Sequence, residues 1–160
     1  MKEQIKQAAE FNAMAGILAP KDAESIDWVG VDVQLGLIRE ELAELEHAVI
    51  ERDSVEQRDA LADLLVVIYG AAIRLGVADK LPSDFQAVHE SNMSKFCTSW
   101  DEYQQTIKKY EAICVEITHR TAYGMIAAIS AKEQTGTDGK EYPMGKILKG
   151  INYHKPVLEG

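Results

Sequence analysis

Apolar positions recur at three- and four-residue intervals along much of the chain. From about Asp32 to Asp53, Leu35, Ile38, Leu42, Leu45 and Val49 fall on one stripe, the spacing of a helix seam that packs against another helix. Val55 to Leu75 repeats the arrangement with Leu61, Leu65, Ile68, Ala72 and Leu75. Joined by only a few residues, two such helices must run antiparallel. Upstream, residues 2–16 put Ile5, Ala8, Phe11, Ala13 and Ile17 roughly on one side of a first helix, which Pro20 ends. A loop carrying Trp28 and Gly30 should follow.

Downstream, "GVADKLPSD" reads as a loop in which Ser83 or Asp84 caps a helix from Phe85 to about Phe96. Ser99 and Glu102 form a plausible capping box for another helix. The period then changes. "ICVEITH" and "YGMIAAIS" are short, β-branched or apolar, and separated by "RTA", which predicts a small hairpin. From Thr135 onward Gly136, Gly139, Pro143, Gly145, Gly150 and Pro156 argue for mostly irregular backbone. The expectation is a mainly α protein, a helical bundle with a small C-terminal β-hairpin and an irregular tail. It is read as one domain over residues 1–160, with its helical core at about 2–112 and hairpin and tail at 113–160.

Composition narrows the classes of function. With 46% apolar and 27% charged residues the chain is an ordinary globular one. No apolar run approaches a bilayer span, and the charged start "MKEQIKQAAEF" does not read as a signal peptide, so a cytoplasmic protein with no membrane partner is expected. Cys97 and Cys114 are too few for a disulfide framework or a zinc site and are read as reduced thiols. A net charge of -9 argues against nucleic acid as a partner. It leaves room for a phosphorylated small molecule if metal ions stand between the two negative partners.

The chemistry concentrates in "IREELAELEH", residues 38–47, where Glu40, Glu41, Glu44 and Glu46 crowd a helix that must also bury leucines. On a helix Glu41 and Glu44 project about 60° apart and Glu40 and Glu44 about 40° apart, so neighbouring carboxylates can reach one point. In the next helix Asp59 and Asp63 are also about 40° apart. Both pairs lie off the apolar seams, where an antiparallel hairpin could join them along a cleft as ligands for a hard cation such as Mg²⁺. A solvated acidic face explains "EELAE" equally well. Asp63 tips the balance: it precedes the apolar run "LLVVIYGAA", where a buried, unpartnered carboxylate would be costly.

"EELAE", then "DALADLL", "GAAIRLGV" and "VHESNMSKF", together resemble the all-α nucleoside triphosphate pyrophosphohydrolases, the MazG-like and phosphoribosyl-ATP pyrophosphohydrolase-like group. The closing "GKILKGINYHKPVL" resembles the phage and bacterial branch, so the likeness runs from about Phe11 to Leu158. The resemblance implies Mg²⁺, replaceable by Mn²⁺, held by an EExxE segment and an ExxD segment. Carried onto this chain, the ligands are Glu41, Glu44 and Asp63, with Glu40, and with Asp59 as a substitute. The substitute is needed because Ala60 stands where the family's ExxD has its Glu. It also implies a nucleotide substrate, a water oriented or deprotonated by Glu40 or Glu41, release of pyrophosphate, and assembly as a homodimer or homotetramer. For a phage-encoded chain the compartment would be the host cytoplasm.

Asn92 and Lys95, three apart in "SNMSKF", are the first candidates for phosphate contact on this resemblance. Lys149, with Lys146 and Lys155, forms a second basic group beside Asn152 and Tyr153, able to close over a nucleotide or simply to hold the tail down. Asn12, Phe11 and Trp28 are candidates to meet the base, with a core role the simpler reading of Phe11. Two rivals come from other classes. "ELEH" and "EITH" repeat the Glu-x-x-His spacing of di-iron bundles through Glu44, His47, Glu116 and His119, but the second copy falls in an expected strand. Heptad seams also serve non-catalytic interaction modules.

Overall fold

The computed structural model describes residues 1–158, and the chain divides into two compact units, Met1–Ser83 and Asp84–Gly160. Among the described residues it is mainly α: α1 (Lys2–Met14), a 3-10 turn (Ala23–Ser25), α2 (Trp28–Glu51), α3 (Ser54–Arg74), α4 (Leu81–Met93) and α5 (Trp100–Glu111). Four short strands follow: β1 (Ile117–Ala122), β2 (Met125–Ser130), β3 (Gln134–Thr135) and β4 (Glu141–Tyr142). None of the described helices is long and apolar enough to cross a membrane.

In the first unit α2 begins four residues earlier than the apolar period indicates. Asp27 caps it, its Oδ1 accepting from Gly30 N at 3.1 Å, so Trp28 and Gly30 belong to the first turn rather than to a loop. Its far end closes with Arg52 in the left-handed region, φ 58°, and Asp53 caps α3 by accepting from Val55 N and Glu56 N. A two-residue link therefore turns the chain back on itself. α1 stops at Met14, before Pro20, and packs Ile5 and Ala8 against Tyr69 and Ile73 of α3.

The contact between α2 and α3 keeps Ile38 and Leu45 of the first expected seam, and Ala72 of the second is buried, but the rest of both seams is displaced by about one residue. On α2 the covered stripe is Val31, Gln34, Ile38, Glu41, Leu45 and Ala48; Leu35, Leu42 and Val49 stay exposed. On α3 it is Gln57, Ala60, Leu64, Val67 and Gly70, with Leu61, Leu65 and Ile68 exposed. Small residues win the inner positions because they let the backbones approach, and a side-chain clasp then fixes the register. Buried Gln34 donates from Nε2 to Val67 O at 2.9 Å and accepts from Arg74 Nε at 3.0 Å, while Gly70 leaves room for its amide. Gln57 Nε2 donates to Ala48 O at 3.1 Å nearer the link.

The second unit is built on Cys97, Tyr103, Tyr110, Val115, Ile126, Ala128, Tyr142 and Leu148. α4 starts before the expected cap: Ser83 and Asp84 lie inside its first turn, and Ser83 Oγ donates to Lys80 O. The capping of α5 is shared by two residues. Ser99 Oγ accepts from Glu102 N, whereas the Glu102 carboxylate accepts from Thr98 N. The β1–β2 hairpin forms, but "RTA" lies in β1; Tyr123 and Gly124, at φ 49° and 74°, make the two-residue turn that the strand twist requires. The tail is less irregular than its glycines suggest, since β3 pairs with β4 and Ile147 bridges to Ile129. Both cysteines are free.

Candidate active site

The clasp decides which acids face one another. Gly30 packs against Arg74, Gln34 against Gly70 and Ala48 against Gln57, and the same antiparallel register puts Glu41 opposite Asp63 and Glu44 opposite Ala60. Glu41 is the one acid on the inner stripe of α2 and is half-buried; Glu40, Glu44, Asp59 and Asp63 are exposed. The exposure of Asp63 corrects the expectation of a buried carboxylate. Leu61, Ala62, Leu65 and Val66 turn outward with it while Leu64 and Val67 face α2, so no unpaired charge is trapped.

Partial burial, then the charges of Glu44, Asp63, Glu40 and Asp59, push the Glu41 carboxyl above its ordinary range. No cation opposes them: the ion pairs among the described residues are Lys6–Glu10, Lys132–Glu116 and Lys140–Asp138. Five carboxylates from two helices therefore share one field. They fan out, however. Glu44 and Asp59 line a cleft of about 680 Å³ with His47 and Ala60, while Asp63 lines another of about 510 Å³ with Gln4, Gln7 and Phe11, and Glu41 stands between the two groups. Among the described residues no three acidic, histidine or cysteine groups are close enough to clasp an ion as they stand. The exposed side chains must swing inward to share one.

The family model described as phosphoribosyl-ATP pyrophosphohydrolase matches residues 20–92, which span α2, α3 and nearly all of α4. The matched segment resembles that family over less than half of the chain. That family lies within the MazG-like all-α superfamily of nucleoside triphosphate pyrophosphohydrolases, hydrolases that act on phosphoanhydride bonds. Neither the curated proteins nor the solved structures gave a significant match.

The remaining candidates are placed as follows. Asn12 is buried and donates from Nδ2 to Ala8 O at 2.8 Å, inside its own helix. Phe11 is 66% exposed, which corrects its assignment to the core, and Trp28 is 64% exposed. Asn92 belongs to the second unit, where its Oδ1 accepts from Lys95 Nζ at 2.7 Å. Lys149 lies beyond the matched segment, its Nζ 4.3 Å above the Tyr153 ring. The second Glu-x-x-His copy is dispersed: Glu116 pairs with Lys132, and His119, on β1, meets Trp100 and Tyr103 edge to face. The one-residue offset of Glu41 from the apolar seam is the feature that spacing alone missed. The small residues Ala48, Ala60 and Gly70 were the signal that could have revealed it.

Proposed function

We propose that the chain is a Mg²⁺-dependent nucleoside triphosphate pyrophosphohydrolase, converting a (deoxy)nucleoside triphosphate to its monophosphate and pyrophosphate. A purine deoxynucleotide such as dGTP or dATP is the preferred substrate. The observation that carries this reading is the half-buried Glu41 set among four further carboxylates without a cation to offset them. An all-oxygen, strongly anionic donor set fits a hard divalent ion. Glu41, Glu44 and Asp63, with Glu40 and Asp59, would hold Mg²⁺ or Mn²⁺, which when bound lowers the pKa of water and offsets charge on phosphate oxygens.

The protein's own part is positioning and proton handling. Glu41 is the innermost acid, a position that suits it to orient the attacking water or take its proton, with Glu40 as its neighbour on the exposed side. Phosphoribosyl-ATP is the second reading of the substrate, favoured by the description of the matched family. Self-association as a homodimer or homotetramer belongs to the same proposal. Leu35, Leu42, Val49, Leu61, Leu65 and Ile68 are each 39–56% exposed on the α2–α3 hairpin, apolar surface that another copy would cover. A light-scattering mass of a single 17.7 kDa chain would refute it.

The decisive assay is one panel of common NTPs, dNTPs and phosphoribosyl-ATP with Mg²⁺ or Mn²⁺, scored by pyrophosphate release. The proposal expects release from at least one nucleoside triphosphate and its loss in Glu41→Gln and Asp63→Asn at unchanged helical circular dichroism. A flat panel, or full activity in both variants, overturns it in favour of an interaction module.

A further inference from the structure

The tail from Leu148 to Ile151 is fastened to the second unit mainly through its backbone. Lys149 N donates to Tyr110 Oη at 3.1 Å, Gly150 N to Lys95 O at 2.9 Å and Ile151 N to Thr106 Oγ1 at 3.0 Å. This course brings Lys149 onto a second lysine from α5: Lys109 Nζ donates to the carbonyls of Lys149 at 3.0 Å and Gly150 at 3.3 Å. Residue 150 must be glycine for the approach, since a Cβ there would stand 2.7 Å from Lys95 O.

Two cations distant in sequence therefore share one surface with no acid between them. Neither appears among the ion pairs of the described residues, which are Lys6–Glu10, Lys132–Glu116 and Lys140–Asp138. Their neighbours are neutral instead: two carbonyl oxygens and the Tyr110 ring for Lys109, and the Tyr153 ring for Lys149. Partial burial, then the charge of Lys149, holds the Lys109 ammonium below its usual range, which places the two lysines in one field. In a chain of net charge -9, such a pair is an uncompensated positive focus. An anion between the two ammonium groups would remove the repulsion. Lys109 has one of its three protons left after its two carbonyl bonds.

We propose that Lys109 and Lys149 form an anion site that takes a phosphoryl group of a di- or triphosphate. The choice of phosphate over other anions rests on the pyrophosphohydrolase reading above; the existence of the site does not. Lys149 leaves the Tyr153 face to meet the ligand, and Lys109 adds its remaining proton from a stem already fixed by the tail.

The test is calorimetric titration of the full chain with inorganic pyrophosphate in EDTA at low salt, where carboxylate-held metal cannot contribute. Wild type should bind, and Lys149→Gln and Lys109→Gln should each weaken binding about tenfold or more, as loss of a charge-assisted contact does. Lys149→Arg should retain binding. Lys149→Gln removes no bond that holds the tail, so its effect is free of any loosening caused by Lys109→Gln. Absence of pyrophosphate binding in wild type, or unchanged affinity in Lys149→Gln, overturns the site even if the nucleotide panel is positive. Lysine-dependent binding with a flat nucleotide panel upholds the anion site and refutes only the enzymatic reading.

Discussion

Replacing Gly70 by alanine sets two opposed effects against each other, and the structure decides the sign. In an ordinary helix interior the change would stabilise by about 1 kcal/mol, because glycine loses more backbone freedom on folding. Here the new Cβ would stand 2.8 Å from Gln34 Nε2 and 3.2 Å from its Cδ. An amide end can usually swing aside, but Gln34 is 4% exposed and bonded at both atoms, to Val67 O and from Arg74 Nε. Moving it breaks a neutral hydrogen bond worth about 1 kcal/mol and one from a charged donor worth roughly 1.5–3 kcal/mol. Overpacking without movement costs about 1–3 kcal/mol. Gly70→Ala should therefore destabilise by about 1–3 kcal/mol, lowering the urea midpoint by roughly 0.5–1.5 M for an m-value near 2 kcal/mol/M. In a Gln34→Ala background the clash is gone, and the same substitution should be neutral or stabilising, a coupling that a double-mutant cycle reads directly. A higher midpoint for Gly70→Ala in the otherwise unchanged chain would refute the clasp, and with it the register that puts Glu41 opposite Asp63.

Glu41→Gln should abolish pyrophosphate release and yet raise the urea midpoint of the metal-free chain at pH 7, because it removes a charge that four acids disfavour; a lowered midpoint would contradict that field. Arg52→Gly should stabilise by roughly 1 kcal/mol in thermal unfolding, since φ 58° strains any residue with a side chain; no gain would mean that the Arg52 side chain contributes a compensating contact. The Tyr142 hydroxyl, buried and donating to Asp138, is pushed up to about 12. Its folded value is the higher one, so its contribution is complete below about pH 10 and is lost as pH rises toward 12; phenolate absorbance should show late titration of Tyr142, with Tyr103 and Tyr110 also raised, and Tyr142→Phe should remove part of that late step.

Helices, hairpin and acid-bearing segments were legible in the sequence because each rests on local information: period, capping side chains and turn-forming glycine. The faces were not. Leu35, Leu42 and Leu65 mark the most apolar stripe, and period analysis assigns that stripe to the nearest helix, but a single-chain hairpin prefers the stripe on which Ala48, Ala60 and Gly70 allow close approach. The same error hid the position of Glu41 and made Asp63 look buried. The "RTA" turn failed for a different reason: Tyr123 is a poor left-handed residue, and propensity passes over it, whereas the pairing of Ala122 with Met125 leaves it no alternative. The approach of Lys109 to Lys149 depends on a tail whose course is set by hydrogen bonds 39 to 55 residues apart in sequence, beyond any local pattern.

Gly150 gives that tail an unusual point of vulnerability. Its hold on the chain just past α4 depends on an atom that is missing, so even the gentlest replacement, an added methyl, pries the segment from the Lys95 carbonyl. Ile151, by comparison, is held by its backbone and can change its side chain more freely. Among the tail positions from Leu148 to Ile151, Gly150 is the one constrained by smallness alone, and that smallness governs where two distant lysines come to rest.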